Sequence, residues 1–169
     1  TFMGRTFEEV ASGEMDALYQ GALFLCGGST AQAETLVVDA VMLSFQEHAA
    51  DADPEQTRRW FEARLVRSFL RRARSRAGDD RPPPVGRDTV DPMAFEDLGA
   101  ERLFQAAGSL PPGPRSALWL VLLRRWSRAD AAAAMGIDEE RLKVMLGYRD
   151  ALMKELLASR RPRGGREAL

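Results

Sequence analysis

Residue types that build most enzyme sites are scarce in this chain of 169 residues. Cys26 is the only cysteine and His48 is the only histidine. A single cysteine excludes an internal disulfide and a thiolate metal cluster, and one distant histidine gives little support to nucleophilic catalysis. Paired carboxylates, metal-ligand spacings and catalytic triads do not stand out either. We therefore expect a protein that is not an enzyme, with no cofactor and no small-molecule substrate.

Long apolar runs are also missing. No stretch of about 18 or more apolar residues occurs, which argues against a membrane-spanning helix. Residues Thr1 to Glu9 lack the basic start and apolar stretch of a signal peptide. We expect a cytoplasmic protein that makes no contact with a membrane.

Lysine is rare: of the 24 basic residues, only Lys143 and Lys154 are lysines. The arginines are unevenly placed, with ten of them between Arg58 and Arg87. Acidic residues gather instead in segments 7–16, 47–55 and 91–101. The net charge of −1 therefore conceals a local basic stretch, and local fields of this kind steer charged partners.

Apolar spacing in the first half predicts three helices. Gly27-Gly28 ends the first, Ser29 with Gln32 forms a capping box for the second, and Asp53-Pro54 opens the third. No alternating pattern of the strand type occurs, so no sheet is predicted. The predicted helices of this half are Glu14–Cys26, Thr30–His48 and one from Pro54 that ends in the arginines of 71–76.

Gly78 to Pro92 reads as a flexible linker, since it holds three consecutive prolines, two glycines and alternating charge. The sequence therefore predicts an all-α fold of two small helical domains on either side of it. The predicted division is a three-helix domain over 7–77, a linker over 78–92, a helix-turn-helix domain over 93–158 and a disordered tail over 159–169.

The second half has the spacing of a helix-turn-helix motif. Short helices are predicted over 93–107 and 114–126, followed by an Ala-rich helix that ends at Gly136. Ile137 fills the turn, and Asp138 caps a helix predicted to run to Ala158. Short Ala-rich helices joined by glycine also occur in plain helical bundles, so the motif by itself leaves that alternative open.

Two ordered blocks of the sequence resemble the extracytoplasmic-function sigma factors of bacterial RNA polymerase. Leu110-Pro-Pro, the apolar helix after it and the segment 132–138 are similar to their region 4. Asp16-Ala-Leu-Tyr, the helix 31–45 and the basic helix from Trp60 are similar to their region 2. The resemblance covers about 7–157 and implies binding to core RNA polymerase, to promoter DNA and to an anti-sigma factor.

The second helix would contact the polymerase if the resemblance holds. Its implied polymerase-binding residues are Glu34, Thr35, Val38, Asp39 and Met42. Thr35 stands where the family usually has an acid and Val38 where it usually has a glutamine, so weaker binding to the core enzyme is expected.

DNA contacts are expected from the basic helix, whose arginines alternate with Trp60, Phe61 and Phe69 in a mixture suited to stacked bases and phosphates. Aromatic residues in such positions are more often part of a packed core than base-stacking residues, so that alternative stays open. Glu139 and Glu140, at the start of the recognition helix, would repel phosphates and weaken DNA binding there. The candidate DNA-binding residues are Arg64, Arg67, Arg71, Arg72, Arg74, Arg128, Arg141 and Lys143.

Three functions remain open on this basis. The first is a sigma factor that initiates transcription at specific promoters. The second is a sigma-like interaction module, or decoy, that binds an anti-sigma factor or polymerase without initiating transcription. The third is a dimeric helix-turn-helix regulator of another family.

Overall fold

The structure is a computed structural model that describes residues 7–47, 53–74 and 100–158. These residues form eight α-helices and one π-helical turn, and no strand occurs among them, which confirms the predicted all-helical fold. In chain order the elements are α1 (Phe7–Leu25), α2 (Thr30–Glu47), α3 (Pro54–Arg74), α4 (Ala100–Gly108), α5 (Pro112–Leu118), the π-helical turn (Trp119–Leu123), α6 (Arg128–Met135), α7 (Glu139–Leu146) and α8 (Arg149–Ala158).

The first three helices pack on one another around buried apolar side chains, among them Phe24, Leu36 and Phe61. α3 is capped as predicted, since the backbone N–H of Gln56 donates to Asp53 Oδ1 at 2.9 Å. The capping box predicted for α2 forms only in part: the Gln32 N–H donates to Ser29 Oγ at 3.5 Å, but the Ser29 N–H donates to the Cys26 oxygen. α1 begins earlier than predicted, at Phe7, because a helix can extend beyond its apolar stripe. The predicted ends at His48 and beyond Arg74 lie outside the described residues.

The helix predicted over 114–126 is wrong at both ends. α5 begins at Pro112 and passes into the π-helical turn, where the Arg124 N–H donates to Trp119 O at 2.9 Å. Arg125 then adopts a φ of 58°, a left-handed conformation that no continuing right-handed helix can hold. The helix therefore ends three residues before Trp126.

The single long helix predicted from Asp138 to Ala158 is also wrong, because α7 ends at Leu146 and α8 starts at Arg149. Gly147 lies at the break, where an added Cβ would come within 3.0 Å of the Val144 backbone oxygen. The change of direction lets α7 pack on α5 while α8 packs on α4. Tyr148, which connects α7 to α8, is buried.

The two halves of the chain, α1–α3 and α4–α8, pack against each other and share one continuous apolar core. α4 and α5 contact α1, and α5 and α6 contact α3. Trp119 lies on Gly21, where an added Cβ would be 2.7 Å from Cε2 of the indole, and Gly27 lies on Gly108 with similar closeness. Residues 75–99, which include the predicted linker, lie outside the described residues.

Candidate functional site

α6 and α7 form a tight helix-turn-helix with caps made by its own side chains. Ser127 Oγ accepts from the Asp130 N–H at 3.1 Å, and Asp138 Oδ1 accepts from the Arg141 N–H at 2.7 Å. Gly136 closes α6 in the left-handed conformation, with a φ of 69°. The motif predicted from spacing therefore has the local geometry that its residue types require.

The outer face of α7 carries both signs of charge. Leu142 is buried against the rest of the motif, which leaves the residues on either side of it in solvent. Acids occupy the first turn, where the helix dipole favours them, and the basic residues follow. The exposed residues of this face are Glu139, Glu140, Arg141, Lys143 and Val144, and Arg128 is exposed at the start of α6.

α2 presents an exposed face that we call the α2 face, made of Glu34, Thr35, Val38, Met42 and Phe45. Val38 and Met42 are each 57% exposed, an unusual position for large apolar side chains on a helix that also supplies the core. Thr35 Oγ1 donates to the backbone oxygen of Ala31 at 3.0 Å, so its hydroxyl is used within the helix. Four of the five predicted polymerase-binding residues thus lie on one face.

Asp39, the fifth residue of that predicted set, lies at the side of the α2 face and pairs with Arg72 of α3. Arg72 belongs to the predicted DNA-binding set, so the structure joins one member of each set in an ion pair. Arg64 pairs in the same way with Glu47. Two of the α3 arginines are therefore engaged with α2.

The α3 helix also faces the helix-turn-helix. Arg67 Nε donates to the backbone oxygen of Ala134 at 3.1 Å, which ties α3 to α6. Arg71 and Arg74, by contrast, are exposed and form no ion pair with the described residues. Of the five α3 arginines predicted to bind DNA, these two present the least hindered charge.

A buried carboxylate that the sequence reasoning did not single out joins the halves. Glu62 of α3 is 3% exposed and accepts hydrogen bonds from Arg124 Nε at 2.5 Å and from Trp126 Nε1 at 2.6 Å. We call these three residues the Glu62 cluster. Both donors belong to the segment before α6, so the carboxylate holds the helix-turn-helix against α3. The available signal was that Glu62 is the only acid in α3 after its first turn.

A second link lies beside the Glu62 cluster. Arg59 forms an ion pair of 3.1 Å with Asp130, and its guanidinium carbon lies 5.3 Å from the centre of the Trp126 ring. The hydrogen bond from Arg59, helped by one with Ser127, lowers the pKa of Asp130. The start of α3 and the start of α6 are therefore joined by charge as well as by packing.

Arg115 of α5 links the halves on the other side of the core. Its Nε and Nη2 donate to the Leu110 oxygen at 3.1 and 2.7 Å, and Nη1 donates to the Leu25 oxygen at the end of α1. The guanidinium also lies 5.5 Å from the centre of the Phe69 ring. Burial lowers the pKa of Arg115, while the nearby Cys26 raises it.

The aromatic residues of α3 divide between core and surface. Phe61 is fully buried, and Phe69 is half-buried under Arg115, so packing rather than base stacking accounts for both positions. Trp60 is half-buried. In the part of the chain that the structure describes, no cluster of three or more metal-ligating side chains occurs, and no helix is long and apolar enough to span a membrane.

No protein-family model matches the chain, and no curated protein sequence matches it. A solved structure does: the sigma factor RpoE in complex with the anti-sigma factor NepR from Bartonella quintana. The alignment has a TM-score of 0.64 and 22% sequence identity, and covers 92% of this chain and 98% of that chain. The chain has the fold of a sigma factor. Both helical halves lie within that likeness, since it extends over nearly the whole of each protein.

Proposed function

We propose that the protein is a sigma factor of the extracytoplasmic-function type, which binds core RNA polymerase and directs it to promoters. The observation that carries the proposal is the α2 face, displayed on a sigma-factor fold. Val38 and Met42 lie one helical turn apart, and both expose apolar side chains that are not part of the buried core. Such a stripe on a single helix fits a partner helix laid alongside it.

The charge beside the stripe supports the same assignment. Glu34 lies on the α2 face one turn before Val38, is exposed, and forms no ion pair with the described residues. A partner helix with apolar side chains and basic flanks would complement both features. The resemblance implies that this partner is the polymerase core.

DNA recognition is assigned to the exposed arginines of α3 and to α7. Arg71 and Arg74 offer charge for phosphates, while Arg141 and Lys143 offer donors for base edges in a major groove. Glu139 and Glu140 oppose that contact, because they lie at the start of α7, the end that normally enters the groove. We therefore propose weak recognition of the upstream promoter element.

A second candidate is a sigma-like module that binds an anti-sigma factor without initiating transcription. It is favoured by the engagement of Arg59, Arg67 and Glu62 with the helix-turn-helix, which keeps the two halves together. The solved neighbour, itself a sigma factor held by an anti-sigma factor, supports a partner of that class. In this case the protein would occupy an anti-sigma partner and release a genuine sigma factor.

Co-purification with core polymerase, followed by transcription in vitro, separates the two. A sigma factor should bind the core and give discrete transcripts, and Val38→Asp with Met42→Asp should abolish binding because two charges would be buried against an apolar partner. Gln105→Asp, on exposed surface of α4 away from α2, is the matched control and should retain binding. Core binding without transcripts, or capture of a small protein alone, would select the module.

The doubly substituted Glu139→Ala, Glu140→Ala protein tests the role assigned to α7. Removing two negative charges should strengthen binding to promoter DNA, and the gain should shrink at high salt. Equal binding by the two proteins at low salt would show that α7 does not meet DNA, which contradicts this part of the proposal.

A further inference from the structure

A cleft of about 300 Å³ lies where the start of α3 meets the segment between the π-helical turn and α6. Its lining brings four arginines together from the two halves: Arg58 and Arg59 from α3, and Arg124 and Arg125 from the segment. One acid, Glu55, also lines the cleft, together with Leu123 and Trp126. Such a volume is at the lower end of the range for small-molecule sites. We call it the arginine cleft.

Two of the four guanidinium groups are well paired. Arg124 donates to Glu62 at 2.5 Å, and Arg59 donates to Asp130 at 3.1 Å. These pairs hold the walls of the cleft in place. Their charge is compensated within the protein, so they define the shape of the site more than its affinity for an ion.

The other two groups have unused capacity. Arg58 Nε is buried and has no hydrogen-bond partner among the described residues, and the ion pairs of Arg58 with Glu55 and Glu62 are long, at 3.9 and 4.0 Å. Arg125 is exposed and forms no hydrogen bond or ion pair with the described residues. Buried donors are normally satisfied, and Arg58 Nε has capacity for a ligand oxygen that Glu62 meets only at long range.

The backbone of Arg125 is a second, independent observation at this cleft. Its φ of 58° makes it the only described residue other than glycine with a positive φ. Glycine or asparagine closes such a turn with less strain, as Gly136 does after α6. A long cationic side chain held in a disfavoured backbone conformation at the mouth of a cleft indicates a use for the side chain.

We propose that the arginine cleft binds the diphosphate group of a small ligand. A phosphoryl group offers several acceptor oxygens, so it can satisfy Arg58 and Arg125 together from opposite walls, and arginine favours such oxyanions. A nucleic-acid backbone suits the cleft less well, because Arg64, Arg67 and Arg72 further along α3 are engaged within the protein. The exposed arginines of α3 that form no ion pair or hydrogen bond with the described residues, Arg71 and Arg74, lie about three and a half to four and a half helical turns beyond Arg58.

Binding at this position would be coupled to the packing of the two halves. The ligand would contact α3 on one side and Arg125 on the other, so only the packed arrangement offers both contacts. A ligand that binds one arrangement stabilises it in proportion to its occupancy. The site is thus a means of holding the halves together, and it does not depend on the function proposed above.

Isothermal titration of the full-length protein with inorganic diphosphate, at constant ionic strength set with sodium chloride, tests the site. One saturable site is expected, together with a rise in melting temperature as diphosphate increases. Arg125→Asn keeps a residue that tolerates the left-handed conformation and removes the charge. Its affinity should fall by about ten-fold or more, since a charge-assisted contact is lost.

Arg102→Gln is the matched control, because it removes an exposed arginine of α4 outside the cleft and should leave the affinity within about two-fold. Absence of saturable diphosphate binding, or equal affinities in the wild type and Arg125→Asn, would overturn the proposal. A mixed-sequence DNA duplex that binds through Arg125 while diphosphate does not bind would also overturn it, in favour of a nucleic-acid site.

Discussion

The Glu62 carboxylate accepts a hydrogen bond of 2.6 Å from the indole nitrogen of Trp126, which lies 64 residues further along the chain. The same carboxylate accepts from Arg124, so one buried acid receives a neutral and a charged donor from the other half. A buried charge is stable only when it is paired in this way. The Glu62 cluster is therefore the polar centre of the junction between the two halves.

Glu62→Gln should destabilise the protein by about 2 kcal/mol, because an amide accepts more weakly than a carboxylate and leaves Arg124 without its counter-charge. Equilibrium unfolding in urea measures the change. Glu55→Gln is the control, since Glu55 is largely exposed and its loss should cost less than about 0.5 kcal/mol. Similar stabilities for the two variants would show that the Glu62 cluster does not hold the junction.

Gly21→Ala should weaken the packing of the two halves, because the new Cβ would meet the Trp119 indole well inside van der Waals contact. Overpacking of this kind costs about 1–3 kcal/mol. Small-angle scattering should report a larger radius of gyration, and urea unfolding a lower midpoint. Trp119→Leu removes the indole that the new Cβ would meet. The double variant should therefore lose less stability than the two single variants lose together. A double variant that is less stable than the sum of the two single losses predicts would contradict the contact.

Arg115→Lys should destabilise the protein by about 1–2 kcal/mol although the charge is kept. A lysine ammonium cannot donate to the Leu110 and Leu25 oxygens in the forked geometry of the guanidinium, nor stack in the same way on Phe69. Thermal unfolding checks the change. Arg149→Lys, on exposed surface of α8, should unfold at the wild-type temperature.

Stability should fall at acidic pH partly through Asp130. Since Arg59 lowers the pKa of Asp130 in the folded protein, its ionised form favours folding. That contribution is complete above about pH 4, the usual range for an aspartate, and is lost as the pH falls through the lower folded-state pKa. Melting temperatures between pH 6 and pH 2.5 should decline less steeply for Asp130→Asn than for the wild type.

The matched control for this pH series is Asp16→Asn, which removes an exposed acid of α1 that no described ion pair uses. Its melting temperature should follow the wild-type curve. Identical slopes for all three proteins would mean that the ion pair between Arg59 and Asp130 does not persist in solution.

Local signals were sufficient for most of the helices. Asp53 and Asp138 each cap a helix at the predicted position, because an N-cap bond joins residues only three apart. Apolar periodicity likewise identified the core side of α2 and α3. The helix-turn-helix and the all-helical class followed from these signals without any knowledge of long-range contacts.

The candidate surfaces were predictable only in part. Helical spacing alone places Val38 and Met42 on the same side of α2. The exposure of that side is decided by how α2 packs on α1 and α3. Spacing does not reveal which arginines of α3 remain in solvent. Arg64, Arg71, Arg72 and Arg74 are the same residue type on the same helix. Only Arg64 and Arg72 form an ion pair with an acid of α2.

The amino-acid sequence therefore specified where most helices start, which residues cap them and which side of each helix is apolar. These features depend on residues within one or two helical turns of each other. The packing of the halves decided the rest. It buried Glu62 with Arg124 and Trp126, joined Arg59 to Asp130 and tied Arg67 to the Ala134 oxygen. Each of these outcomes depends on groups that are distant in sequence, and their free energies arise only once the groups are brought together.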